Sequence, residues 1–72
     1  DAEVMEIHVH ENSKATKNSI GDLNLPVDAM VGGIIRKNEA WIADNSFQIE
    51  ANDKVVVFAL PAVIQKTLEY FS

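Results

Sequence analysis

The chain has 72 residues, a formal net charge of −5 and no cysteine. This length predicts one small domain, and such domains bury only about 60% of their unfolded surface, so a second copy is a common source of stability. The lack of cysteine excludes disulfides, thiolate zinc sites and a cysteine nucleophile. The acidic balance argues against nucleic-acid binding, and no apolar run approaches the ~20 residues of a membrane span, so we expect no direct membrane insertion.

The first part of the chain predicts a strand, a loop and a short helix. Apolar and polar side chains alternate over residues 3–10, which is typical of a strand with one buried face. Residues 11–17 are polar and predict a loop. Asn18 or Ser19 can then cap a short helical turn, which must end before Pro26.

The middle of the chain predicts a hairpin of two strands. Residues 29–35 are too continuously apolar for a strand with one wet face, so we expect this strand to be covered on both sides. The pair Gly32 and Gly33 would permit a bulge or the close approach of another backbone. Lys37 and Asn38 predict a tight turn, because asparagine tolerates the left-handed conformation that such turns use.

The last third predicts a strand and a helix. Residues 54–60, with three consecutive valines, give the strongest strand signal. Pro61 suits the first position of a helix, and the apolar residues that follow it recur at helical spacing. The predicted fold class is α+β: a small two-layer sandwich with a four-stranded, mostly antiparallel sheet, a short helix after the first strand and a C-terminal helix. The aromatic residues expected in the core are Trp41, Phe47, Phe58 and Phe71.

Arg36 is the main candidate for a ligand contact. Its guanidinium is a planar fork that matches phosphate or carboxylate oxygens, and it follows an apolar strand, so its head lies near a turn. The alternative is a structural role, as a salt bridge to Asp53 or Asp44 or as a solvated charge at the end of the hairpin. Gly32 and Gly33 could let a ligand approach, or could serve only as a packing kink.

The sequence offers little support for a metal site or for catalysis. His8 and His10 lie on one strand face with Glu6 before them, which is a spacing that metal sites use, but outward strand positions are often polar without a function. We therefore expect no metal site. No nucleophile has an evident base and no glycine-rich loop is present to cradle a phosphate, so we predict no catalytic residues and no enzyme.

The order of features resembles the TrkA C-terminal domain family, also called the regulator-of-K⁺-conductance C-terminal domain. Residues 31–36 (VGGIIR) resemble the family's strand v-x-a-I-x-R, and residues 47–53 (FQIEAND) resemble t-x-i-x-x-G-D. Upstream, Ser13 and residues 17–23 resemble the segment S-x-x-x-G-k-s-i-x-e-L. The resemblance covers nearly the whole chain. It departs at Asn52, where the family has glycine, and at Gly33, where alanine is more usual.

The resemblance implies that residues 1–72 are a regulatory domain. Because the chain begins at Asp1, we expect a piece of a longer protein that regulates a membrane K⁺ transporter or channel subunit. Such domains are cytoplasmic, peripheral to the inner membrane, and pair as homodimers. Some members bind small ligands, including cyclic dinucleotides, at the dimer interface, with an arginine on phosphate.

Carried over to this chain, the resemblance predicts an unidentified small anionic or nucleotide ligand at Arg36, Gly32, Gly33 and Asn38, with no other cofactor. Such a ligand would act by population shift: it would favour one relative orientation of the two copies only if its affinity for the two orientations differs. The alternative is a purely structural dimerisation module with no small-molecule ligand.

Overall fold

The computed structural model describes all residues from 1 to 72 and has a two-layer α+β architecture. The strands are β1 (Glu3–His8), β2 (Ala29–Arg36), β3 (Glu39–Trp41) and β4 (Lys54–Ala59), and the single α-helix is α1 (Ile64–Glu69). The strands form one sheet in the order β1-β4-β2-β3, and every neighbouring pair is antiparallel. The predicted fold class and the four-stranded antiparallel sheet are confirmed.

The predicted helix after the first strand is reduced to two short 3₁₀ turns. They cover Lys14–Thr16 and Ile20–Asp22. In neither turn does the capping serine use its side chain to bond the free backbone N–H groups. Without that cap, and with Pro26 close behind, the segment is too short to propagate an α-helix.

The C-terminal helix begins as the sequence predicts. Pro61 occupies the first turn, which is a 3₁₀ helix over Pro61–Val63 that leads directly into α1. None of the helices is long enough or apolar enough to cross a membrane.

One face of the sheet carries the core. The central strand β4 buries Val55, Val57 and Ala59 against the second layer, which is made of the 3₁₀ turns, the loop before β4 and the C-terminal segment. Phe71 is fully buried there, as predicted. The complete buried apolar cluster is Val9, Ala15, Leu23, Val31, Ile34, Ile49, Val55, Val57, Ala59, Tyr70 and Phe71.

The two glycines of β2 form the predicted bulge. The pairing of β2 with β4 shifts between Val31 and Gly33, so Gly32 is an extra residue. The shift allows Val31 and Ile34, three residues apart, to point into the same core. It explains why the apolar pattern of this strand does not alternate.

The opposite face of the sheet, here called the outer face, is apolar and uncovered within one chain. Val4, Phe58 and Met30 are cross-strand neighbours on β1, β4 and β2, and all three are exposed. The prediction that Phe58 lies in the core is therefore wrong, because odd-numbered β4 residues point inward and Phe58 points outward, where 38% of its surface is exposed. Trp41 was also expected in the core, but it lies on the edge strand β3 and is 46% exposed.

The turn before β4 has a backbone conformation that suits glycine. Asn52 has a φ of 74°, in the left-handed region, and it stands where the resembling family has glycine. Asparagine tolerates this region better than other residues with a side chain. Asn52 can therefore adopt the left-handed conformation that this turn requires.

We predict that Asn52→Ala lowers the free energy of unfolding by about 1 kcal/mol, whereas Asn52→Gly leaves it close to that of the parent chain. The Cβ of alanine is sterically strained in the left-handed conformation, whereas glycine has no Cβ and is not strained there. Urea unfolding of the three chains measures the difference. Equal stability of the alanine and glycine variants would contradict the assigned strain.

Candidate ligand-binding site

Arg36, at the end of β2, forms a fork-to-fork ion pair with Asp53. Its Nε donates to Oδ1 of Asp53 at 2.9 Å, and its Nη2 donates to Oδ2 at 2.9 Å. Nη2 also donates to the main-chain carbonyl of Gln48 at 3.0 Å. Asp53 is only 2% exposed, so the pair is largely withdrawn from water. This is the structural role that the sequence left open as the alternative for Arg36.

The turn that carries Asp53 explains how a carboxylate comes to be buried here. Asp53 Oδ2 accepts the backbone N–H of Glu50 at 2.8 Å, which closes the turn on itself. The backbone of the turn is also tied to the end of β1, because Asn52 N–H donates to Val9 at 2.8 Å and Val9 N–H donates to Asp53 at 2.9 Å. Strand β1 therefore fixes the turn from one side and Arg36 from the other.

The electrostatics of the pair follow from these contacts. Burial on its own raises the pKa of Asp53, but the hydrogen bonds from Arg36 and from the Glu50 backbone, together with the charge of Arg36, outweigh it and hold this pKa below its ordinary value of 3.8. The same hydrogen bond is the main cause that raises the pKa of Arg36. Both groups are therefore charged at neutral pH.

The remaining edge of the guanidinium is open. Nη1 has only a long ion pair, 3.5 Å, to the Glu50 carboxylate, whose side chain is 63% exposed. The ring of Phe47 lies beneath the guanidinium, with 5.2 Å from Cζ to the ring centroid. The sequence did not single out Gln48 or Glu50: Gln48 contributes a main-chain oxygen, for which no residue type is a signal, and Glu50 is one exposed acid among several.

The two glycines lie on the other face of the sheet from the Arg36 head. They line a shallow apolar hollow of about 300 Å³ on the outer face, together with Ile35, Val56, Phe58 and the residues of the β3 edge. Phe58 covers the bulge so closely that a Cβ on Gly32 would lie 2.5 Å from its Cε1. Gly32 and Gly33 are therefore close together, but Arg36 does not join them.

Asn38 lies at the tip of the β2–β3 hairpin, as predicted. Lys37 and Asn38 have φ values of 51° and 67°, which is the pattern of a two-residue turn with both central residues left-handed. The strand pairing Arg36–Glu39 closes the hairpin. No side-chain hydrogen bond holds Asn38, and its exposed position leaves it outside both the ion pair and the hollow.

A second hollow, which sequence reasoning missed, lies between the 3₁₀ turns and the segment after β3. It measures about 280 Å³, and its polar wall contains Asn24, Asp44 and Asn45. Asp44 is already engaged, because the backbone N–H and the hydroxyl of Ser46 both donate to its Oδ1, which lowers its pKa. The lining residues come from three separate segments, so no single motif could have indicated this hollow.

The histidine pair does not assemble a metal centre. His8 and His10 meet edge to face, with 4.9 Å between ring centroids. No group of three or more histidine, aspartate or glutamate side chains in the chain is placed to hold a metal ion.

We predict that Asp53→Asn lowers the free energy of unfolding at pH 7 by about 1.5–3 kcal/mol, because the variant loses charged hydrogen bonds to Arg36. The substitution should also make the free energy of unfolding depend less steeply on pH in the acid range. Folding lowers the pKa of Asp53, so its contribution is complete above about pH 3.8 and is lost as the pH falls through the lower folded-state value. Denaturant unfolding from pH 7 to pH 2 measures both effects.

The control is Asp28→Asn, the same chemical change at an exposed residue with no side-chain hydrogen bond. It should keep the stability at pH 7 within about 0.5 kcal/mol of the parent, and its acid dependence should stay steep. An Asp53→Asn variant that loses stability in acid as steeply as the control would show that another carboxylate governs this transition.

Comparison with known proteins gives consistent relatives. A family model described as the TrkA-C domain matches residues 4–72. A Trk system potassium uptake protein TrkA homolog of Archaeoglobus fulgidus is 38% identical over 68 residues, covering 94% of this chain and 15% of that protein. The Trk system potassium uptake protein TrkA of Halomonas elongata is 32% identical over 62 residues, covering 82% of this chain and 14% of that protein. The chain thus spans about 15% of the length of the curated relatives it matches.

A solved structure described as "Structure of RCK domain with cda" shares the fold. Its chain matches with a TM-score of 0.78, covering 96% of this chain and 97% of that chain, at 16% sequence identity. At this identity the likeness concerns the fold alone. The family match extends over nearly the whole chain and agrees with relatives above 30% identity, so the chain belongs to the TrkA-C domain family.

Proposed function

We propose that the chain is the regulatory, dimerising domain of a Trk-type potassium uptake protein and that a small anionic ligand biases its paired state. Its TrkA relatives act in potassium uptake, and the family is not known for enzymes. As part of a longer protein, the domain would lie on the cytoplasmic side of the inner membrane and act on a membrane K⁺ transporter or channel subunit. The ligand would be a small anion or nucleotide.

The observation that carries the dimerisation proposal is the uncovered apolar outer face. Met30 and Phe58 lie on the two central strands of the sheet, each one residue from the end of its strand, yet they are 60% and 38% exposed. Small soluble domains seldom leave an apolar patch on the central strands of a sheet exposed, and such patches mark interaction sites. A second copy offers the same apolar surface, as a two-fold interface requires.

Strand β2 is the strand that the sequence predicts to be covered on both sides, and one of its two sides belongs to the outer face. The core covers one side of β2, whereas on the other side no second layer of the chain packs on the sheet: the Phe58 ring lies over Gly32, and Met30 remains 60% exposed. The homodimer predicted from the sequence would supply the missing cover. A pair of chains would also compensate for the small core that 72 residues can build.

We predict that Met30→Glu weakens self-association at least tenfold while the chain stays folded, because a desolvated charge within an apolar interface is costly. Gln65→Glu is the matched control: it adds the same charge on the exposed side of α1, in the layer across the core from the outer face. Sedimentation equilibrium of the three chains gives the dissociation constants. A parent chain that remains a monomer at high concentration would refute the dimer.

The ligand part of the proposal is supported by the two features of β2 that a small molecule could use. The hollow beside Gly32 and Gly33 is apolar, and Nη1 of Arg36 presents an incompletely paired cation at the end of the same strand. A domain of the same fold has been solved with cda. Since the two features lie on opposite faces of the sheet, a ligand in this chain would engage one of them, or would reach the second through the other copy.

The second candidate function is a structural dimerisation module without a ligand. Three N–H groups of Arg36 are already used by Asp53 and Gln48, which favours this alternative over a ligand-binding arginine. The two candidates differ in one measurable respect, namely whether a small anion stabilises the fold.

We predict that a cyclic dinucleotide raises the melting temperature of the parent chain. At a ligand concentration about one hundred times its dissociation constant, the free energy of unfolding should increase by about 2.7 kcal/mol. Asn38→Gly removes the side chain at the exposed hairpin tip and tolerates the left-handed φ of 67°, so it should reduce this stabilisation while the melting temperature of the free chain stays close to that of the parent. AMP, which carries one phosphate, is the control ligand. If a panel of cyclic dinucleotides leaves the melting temperature unchanged, the structural module becomes the function that the domain supports.

A further inference from the structure

The hydrogen-bond inventory of Arg36 defines which edge can receive a ligand. A guanidinium has five N–H donors, one on Nε and two on each terminal nitrogen. Nε and one donor of Nη2 are used by Asp53, and Nη2 also donates to Gln48. Only Nη1 lacks a hydrogen bond, and its single charged neighbour is the Glu50 carboxylate at 3.5 Å.

Glu50 is held beside Nη1 by its own backbone rather than by its side chain. Its N–H donates to Asp53 Oδ2 at 2.8 Å, so the carboxylate that orients Arg36 also positions the main chain of Glu50. The Glu50 side chain is mostly in water, and 3.5 Å is beyond the range of a good charge-assisted hydrogen bond. Such a contact is weak and can be exchanged.

We propose that Glu50 is a tethered competitor at the anion-binding edge of Arg36, and that an incoming anion binds end-on to Nη1 through one oxygen as the Glu50 side chain moves away. This proposal rests on the ligand part of the proposed function and names how that site is regulated. Asp53 occupies the edge formed by Nε and Nη2, and the second donor of Nη2 is bonded to the Gln48 carbonyl, so a bidentate phosphate or carboxylate contact would require breaking one of these bonds. The site therefore takes a single terminal oxygen of a phosphate or carboxylate.

The contacts around Arg36 reduce the entropic cost of end-on anion binding. Two bonds to Asp53, one to Gln48 and the Phe47 ring already immobilise the guanidinium, so an anion does not have to order it. The exchange removes one exposed carboxylate from Nη1 and adds another anion. The affinity of Arg36 for an anion is therefore limited by competition from the Glu50 carboxylate, which always lies close to Nη1.

The test is a titration of the chain with inorganic pyrophosphate at low ionic strength, followed by the side-chain ¹H–¹⁵N signals of Arg36. Glu50→Gln should bind about 1.4- to 5-fold more tightly than the parent chain, the range that removal of an exposed ion pair predicts. Glu50 is exposed, and glutamine keeps the backbone N–H bond to Asp53, so the variant should fold like the parent.

The control is Glu3→Gln, which makes the same change in net charge at the start of β1. Glu3 pairs with Ala59, at the opposite end of the sheet from Arg36, so this variant should bind pyrophosphate like the parent. A general effect of reduced negative charge would tighten both variants equally, and that result would overturn the competitor role.

The remaining outcomes separate this proposal from the proposed function. Binding at Arg36 in the parent chain with no gain in Glu50→Gln overturns the competition but leaves the anion site standing. An absence of any response of the Arg36 signals, in the parent and in Glu50→Gln alike, overturns anion binding at this arginine and removes the competitor with it. The dimer proposal is tested independently by self-association.

Discussion

The salt bridge between Arg36 and Asp53 is the constraint on which the arrangement of this domain depends. Asp53 accepts from the guanidinium and from the Glu50 backbone, and its own main chain is bonded to Val9. One buried carboxylate therefore links the end of β2, the turn before β4 and the end of β1. A buried ion pair adds little net stability after desolvation, but breaking it is costly, so its main contribution is to fix one geometry.

The bulge at Gly32 is the second constraint, and it decides which surface is left bare. Without the extra residue, Val31 and Ile34 could not both enter the core, because residues three apart in a regular strand point to opposite faces. With it, the outer face keeps Met30 and Ile35 as apolar residues. The ring of Phe58 lies over the bulge and fills the space that a side chain at Gly32 would need.

The sequence predicted the elements better than it predicted the layers. Alternation, the valine run and Pro61 are local signals, and each identified its element correctly. The burial of Phe58 and Trp41 was predicted wrongly because the face that a strand residue occupies depends on register and on edge position, which are set by pairing partners far along the chain. Similarly, Arg36 was identified as an important residue, but its bond to the Gln48 carbonyl depends on backbone placement that no residue type announces.

The placement of Arg36 and Ile35 bears on how a ligand could influence pairing. They are consecutive residues of β2, yet Arg36 points to Asp53 while Ile35 lines the hollow on the outer face. An anion at Nη1 would therefore act on one end of a strand whose opposite surface belongs to the proposed dimer interface. Such a ligand shifts the pairing only if its affinity differs between the two arrangements of the copies. Because the hydrogen bonds to Asp53 hold the guanidinium in place, the Arg36 side chain cannot move independently toward a ligand. Any shift of Nη1 on binding would therefore also move β2 and the β2–β3 hairpin.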